Sequence, residues 1–478
     1  MNSAATTARA QARSFWAPCA WLDGAWAPGV LLRVDAQGRW AEVQPHTPAP
    51  AEADVEHLPG PVLPALVNAH SHAFQRAFVG LAERRDSAHD DFWSWRDHMY
   101  GVALRIGPEQ LRAVAEHLYG ELLAGGYTHT CEFHYLHHAP DGSPYSHNTA
   151  ADRADNSADP WPMSRALAEA AAATGMGLTL LPVLYERAGF QHPALRRDQR
   201  RFATNVQTVL TQRDAIRAWG LPNISAGVAV HSLRAARAES LHELATALQG
   251  DSGPVHIHVA EQTAEVDDCL AATGQRPIAW LAQQGLLDAR WQLVHATHAT
   301  PEEIQAVAAS SAGVVLCPST EANLGDGLCD LPGWLAAGVP LSLGSDSQVT
   351  RQWPEELRWL EYGQRLVLRQ RNVAAAPGHQ PATAARLFER VLAGGAAAAG
   401  FTHWGLQVGA RADLLLLDTA DEALQGLPPD RLLDATVFAS APRPFLRTLV
   451  AGRWVGDAAA RQAAARRHAA TLHELWRE

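Results

Sequence analysis

ValLeuProAlaLeuValAsnAlaHisSerHis, residues 62–72, is an apolar run that stops on two histidines with one serine between them. Its length and composition fit a strand buried on both faces. Packing gives such a strand no reason to end on imidazoles. Seven further runs are built alike. GlyTyrThrHisThrCysGluPhe leads into His134, and GlyLeuThrLeuLeuProValLeu ends at Leu184. SerAlaGlyValAlaVal precedes His231, ProValHisIle precedes His258 and TrpGlnLeuVal precedes His295. GlyValValLeuCysPro ends at Pro318, and ProLeuSerLeuGly leads into Ser345 and Asp346. Eight short parallel strands alternating with helices make a (β/α)8 barrel of TIM type, so the fold class is α/β.

Between the runs the apolar period changes from strand to helix. Leu111, Val114, Leu118 and Leu122 fall at steps of three and four, predicting a helix over Pro108–Leu123. Met163–Ala173, Ser240–Leu248 and Pro301–Ala309 read the same way. ThrProGluGlu at 300–303 adds an N-cap, a first-turn proline and first-turn acids to the last of these. The flanks differ: LeuLeuArgValAspAlaGlnGlyArgTrp around Leu31, AlaAspLeuLeuLeuLeuAsp from Ala412 and ThrLeuValAlaGlyArgTrpVal from Thr448 are strand-like with glycine turns. The expected organisation is therefore residues 1–60 and 404–478 joining as one small β-sandwich domain, with the barrel over 61–403. Asp457–Trp476 reads as a terminal amphipathic helix.

Composition narrows the chemistry. The chain has 478 residues, 39 basic and 50 acidic side chains, and a formal charge of −11. All the basic residues are arginine, which excludes a Schiff-base lysine, a phosphate-loop lysine and a carbamylated lysine bridging two metals. The acidic balance argues against nucleic acid and anionic membrane as partners. No run is long and apolar enough to span a bilayer. Five scattered cysteines without a CxxC pair suit reduced thiols in the cytoplasm. Met1–Arg13, small and polar with no apolar core behind it, reads as a frayed terminus rather than a leader.

With 23 histidines, chance alone gives roughly one HxH pair. The informative feature is position: His70, His72, His231, His258, His295 and Asp346 all stand at the carboxyl ends of runs, where a barrel opens its active site. One strand-end histidine is usually a hydrogen-bonded barrel residue; an ordered series is not explained that way. Three imidazoles and a carboxylate at one mouth suit zinc or another borderline divalent ion. Glu261, three residues after His258, suits a proton shuttle beside such a site.

HisSerHis at 70–72, His258 with Glu261, His295, GlySerAspSer at 344–347 and GlyLeuGlnValGlyAlaArgAlaAspLeuLeuLeuLeuAsp from Gly405 together resemble the amidohydrolase superfamily. Within it, HisSerHisAlaPheGlnArgAla at 70–77, PheTrpSerTrpArg at 92–96, GluPheHisTyrLeuHisHis at 132–138, HisSerLeuArg at 231–234 and HisIleHisValAlaGluGln at 256–262 resemble the formimidoylglutamate deiminase family. The resemblance runs through most of the chain in the same order. It implies one zinc ion held by His70, His72, His258 and Asp346, in a ligand set that iron or manganese would also accept. It implies acid/base work by Glu261 and His295, with Asp346 sharing the activation of water. Gln75, Arg96, Tyr135, His231 and Arg234 are then the substrate contacts, the two arginines gripping carboxylates through their planar forks. The position of the bridging lysine in binuclear relatives falls near His231.

The implied reaction turns N-formimidoyl-L-glutamate, a small dicarboxylate of histidine degradation, into N-formyl-L-glutamate and ammonia, in an enzyme whose relatives are often homodimers. Two alternatives stand beside it. A related deaminase for a cyclic amidine, a purine or pyrimidine, would use the same metal set but make poor use of two arginines. A barrel kept only as an interaction scaffold would have no need of the ligands. Trp93 and Trp95 read as packing residues of a capping segment.

Overall fold

The computed structural model describes residues 13–85, 92–145, 159–440 and 444–477. The terminal stretch 1–12 and the side chain of Trp93 lie outside the described residues. Eight parallel strands form the barrel: β1 (Leu66–Ser71), β2 (Tyr127–His134), β3 (Gly177–Leu184), β4 (Val228–Val230), β5 (Val255–Val259), β6 (Trp291–His295), β7 (Gly313–Leu316) and β8 (Leu341–Leu343). Each pairs with its sequence neighbour, and β8 returns to β1 through Leu343 and Asn68. Ala229 and Val230 of β4 pair with Val183 and Leu184 of β3, which closes the ring. Every residue of these strands is buried, as their unbroken apolar character requires.

The helices fall where the 3.6-residue spacing puts them, at Pro108–Ala124, Pro162–Thr174, Ala238–Ala247 and Pro301–Ser310. At the last, Thr300 Oγ1 accepts from the Glu303 amide at 3.3 Å, while Glu303 Oε2 accepts from the Thr300 amide at 3.0 Å. That reciprocal pair is a capping box. The helix Thr383–Ala398 lies so close to β8 that a side chain at Gly394 would strike the Leu341 carbonyl.

The chain ends meet in one eight-stranded sheet. Arg13–Leu22, Ala25–Val34 and Trp40–Gln44 come from one end, Leu414–Leu417, Phe445–Val450 and Arg453–Val455 from the other. Val62–Leu63, just past residue 60, joins the two halves. The sheet folds over its own core of Phe15, Val30, Leu32, Trp40, Leu414 and Leu449. The Trp40 amide and carbonyl bond Ala410 and Gly409 at 2.9 and 2.8 Å, tying the edge strand Trp40–Gln44 to the stretch that leads into Leu414–Leu417. The terminal helix Ala458–Leu475 lies along Pro108–Ala124, with Arg467 on Glu116 at 2.5 Å and Gln110 on Glu474 at 3.2 Å. Among the described residues no helix is long and apolar enough to cross a membrane.

Candidate active site

Backbone register sets the first two groups side by side. Past their last barrel pair, β1 and β8 stay in contact: the Asp346 amide donates to the His70 carbonyl at 3.0 Å, and the His72 amide donates to the Asp346 carbonyl at 3.2 Å. His258, on β5, reaches across from the far side of the barrel. His70 Nε2 lies 3.2 Å from His72 Nε2 and 3.0 Å from His258 Nε2. Asp346 Oδ1 stands 3.4 Å from both His70 Nε2 and His72 Nε2.

These contacts make the cluster one that could hold a metal ion. His72 Nδ1 is 3.0 Å from the Phe133 carbonyl, and only its N–H can satisfy that oxygen, so its Nε2 presents a lone pair to the centre. Burial pushes His70 down to about 3 and pulls His72 and His258 below their ordinary range, so all three rings are neutral. For Asp346 burial works upward, but the His70 hydrogen bond and the neighbouring imidazoles outweigh it and keep the carboxylate ionised. Lone pairs that converge at this spacing, with a carboxylate beside them, could be satisfied by a shared cation. The donor chemistry, three neutral imidazoles and one carboxylate, fits a borderline divalent metal.

A second row of groups stands beside the cage. His295 Nε2 is 3.7 Å from Glu261 Oε1 and 3.8 Å from Asp346 Oδ2, and its Nδ1 is 3.3 Å from Glu321 Oε1. Burial alone would lower His295, but the charge of Glu261 with the Cys317 and Glu321 side chains holds it well above its usual value. Burial lifts Glu261 to about 7, assisted by Asp346 and opposed by His295. Ala260, His295 and Asp346 have φ of 51°, 69° and 44°, left-handed conformations costly for residues with a Cβ. That strain falls where β5, β6 and β8 open into the mouth.

The cleft above these groups is narrow, with a free volume of about 60 Å³. All the sequence-predicted residues except His70, which lies beneath it, line this cleft. Gln75 Nε2 donates to the Tyr135 hydroxyl at 3.2 Å. His231, just after β4, has Nδ1 3.2 Å from Ser232 Oγ and packs edge-on against Tyr185 at 4.5 Å. Arg96, on the helix Phe92–Ala103, lies over the Tyr100 ring at 5.5 Å. Its pKa is lowered by burial and by the positive neighbours Arg234 and Arg196. Trp95 packs on Phe78 at 5.5 Å and also lines the cleft.

Sequence reasoning passed over Tyr185, although it directly follows the third apolar run and obeys the strand-end rule. It also missed Glu265, whose carboxylate accepts from the Ala260 and Glu261 amides at 3.3 and 3.1 Å and so fixes the Glu261 turn. Glu321 sits on the short helix Pro318–Leu324 beyond β7, where no local pattern announces a partner for His295.

Residues 62–455 match the Amidohydrolase family, and the chain belongs to that family. It is 45% identical over 97% of its length to the formimidoylglutamate deiminase of Pseudomonas aeruginosa, 99% of which is covered. Among solved structures, an amidohydrolase from Brucella melitensis superposes with a TM-score of 0.89 at 40% identity, over 97% of this chain and 100% of the other. A zinc-bound adenosine deaminase from Xanthomonas campestris shares the fold, with a TM-score of 0.74 at 22% identity, over 96% and 98% of the two chains.

Proposed function

We propose that this chain hydrolyses N-formimidoyl-L-glutamate to N-formyl-L-glutamate and ammonia, with one zinc ion held by His70, His72, His258 and Asp346. The observation that carries the reading is the pairing, in one cleft, of a four-donor cage with Arg96 and Arg234. A cation suits the amidine chemistry, and two guanidinium groups suit a substrate with two carboxylates. The near-full-length likeness to a formimidoylglutamate deiminase supports it.

A zinc ion in the cage supplies Lewis acidity, bringing the pKa of water down towards about 7. The protein does the rest. Arg96 and Arg234 grip the carboxylates, with Gln75, Tyr135 and His231 shaping the walls that aim the formimidoyl carbon at the cage. Asp346 Oδ2, ionised and 3.8 Å from His295, accepts the proton of the attacking water while His295 orients it. Glu261, lifted to about 7 by burial, holds a proton near neutrality and delivers it to the imino nitrogen. The proton taken up by Asp346 then passes to the same nitrogen, ammonia leaves, and the hydroxyl proton of the tetrahedral carbon returns to Glu261 as the formyl carbonyl forms. Burial of Glu261 thus serves the reaction directly: an ordinary carboxylate would have no proton to give.

The enzyme works in the cytoplasm on a small dicarboxylate, with no nucleic-acid or membrane partner. An ammonia-release assay comparing N-formimidoyl-L-glutamate with guanine and cytosine tests the reading. Turnover confined to the linear dicarboxylate is expected, and preference for a ring substrate would overturn it.

A further inference from the structure

Asp346 faces two donor sets. Its Oδ1 points at His70 and His72, while its Oδ2 lies 3.8 Å from His295 Nε2. Cys317, at the end of β7, completes a second group: ligand atoms of His295, Cys317 and Asp346 lie within 4.8 Å of one another, and all three residues are buried. The sulfur is directed there by the fold. Cys317 packs in a buried apolar cluster with Ala69, Val294, Val315 and Ala398, and its thiol also hydrogen-bonds the His295 ring. Room for it comes from Gly344, where a Cβ would lie 2.9 Å from Cys317 Sγ and 2.6 Å from His70 Cβ. Among the described residues Cys317 is the one cysteine in a metal-ligating group.

We propose that His295, Cys317 and Asp346 Oδ2 form a second, inhibitory site for a soft divalent cation, distinct from the four-donor cage and joined to it through the Asp346 carboxylate. Bonds of 2.0–2.3 Å put tetrahedral donors about 3.5 Å apart, so the 3.8 Å His295–Asp346 spacing is close to that, and the sulfur lies within 4.8 Å of both. The cage is nitrogen and oxygen; this site adds a thiol, and a bound metal displaces both the thiol proton and the proton held by the His295 ring. Cadmium or surplus zinc is therefore the expected occupant. A cation here engages His295 and the second oxygen of Asp346, so turnover stops while the first ion stays bound. That inhibition rests on the deiminase reading; the binding does not.

The test is titration of the enzyme carrying one equivalent of zinc with Cd²⁺, following both the ultraviolet sulfur-to-metal charge-transfer band and ammonia release. The expected result is a band that saturates at one added equivalent, in step with loss of activity. Cys317→Ala should abolish the band and raise the Cd²⁺ needed for half-inhibition by at least about tenfold. Cys317→Ser, closer in volume, serves if the alanine variant does not fold by circular dichroism. No sulfur band in the unmodified enzyme, or a band or inhibition that persists unchanged without Cys317, overturns the proposal. A failure of the deiminase reading shows separately, as no ammonia from formimidoylglutamate before any cadmium is added.

Discussion

The two ends of the barrel both bury charge and imidazole, and they do so to opposite effect. At the closed end, Arg411 forms a two-point ion pair with Asp413, at 2.6 Å between Nη2 and Oδ2 and 3.0 Å between Nε and Oδ1. Arg411 also donates to the Thr128 carbonyl at 2.9 Å and reaches His129 Nδ1 at 3.2 Å, while His129 Nε2 meets Thr179 Oγ1 at 2.8 Å. Asp413 Oδ1 takes the Ala451 amide at 2.9 Å. Donors face acceptors throughout, so the cluster fastens the terminal sheet to β2. At the open end, neutral imidazole nitrogens face each other and a carboxylate, and the backbone turns left-handed at Ala260, His295 and Asp346. A satisfied polar cluster is a fastening; one whose donors converge on a common point is built for something added.

That contrast can be broken or sharpened by substitution. The largest effect belongs to His258→Ala, which should lose the metal and all measurable turnover together; metal analysis beside the ammonia assay checks it, and retained metal with normal turnover would displace His258 from the cage. Glu261→Gln should keep the metal and lose roughly 10²–10⁴-fold in kcat. At the closed end the readout reverses. Asp413→Ala leaves the Arg411 guanidinium buried without its anion and should cost about 3–5 kcal/mol of stability in urea or thermal unfolding, with kcat and KM of the folded protein unchanged.

Smaller effects concern recognition and pH. Arg234→Met removes a charge-assisted contact of about 1.5–3 kcal/mol, so KM should rise about 10- to 100-fold with metal content intact. An unchanged KM would take Arg234 out of carboxylate binding. The pH profile gives the finest reading. Because Glu261 acts as the protonated acid and titrates at about 7, activity should fall as pH rises through that value. Glu261→Gln should flatten this limb in whatever activity remains, whereas a limb that survives belongs to another group.

Much of this was legible in the chain before any coordinates. Strand length, apolar content and strand-end histidines marked the eight barrel strands, because burial on both faces leaves no other pattern for a parallel sheet. The lack of lysine excluded a pair of metals bridged by a carbamylated lysine. The N-cap at Thr300 was readable because capping is a local matter of four residues. His129 shows where such reading stops. It sits in the same strand as His134 and has the same chemistry, but it lies near the strand's amino end and so faces the fastening rather than the mouth.

What the sequence determined alone, then, is what depends on neighbours along the chain: strand and helix period, caps, the set of available side chains, and motifs that keep their spacing. What only the tertiary structure decided is what depends on groups far apart in sequence meeting in space. The 3.0 Å approach of His258 to His70, the hold of Glu321 on His295, and the turn of the Cys317 thiol towards Asp346 all require the barrel to close first. Local sequence carries no record of those distances, because they are set by the ring of hydrogen-bonded strands rather than by any one of them.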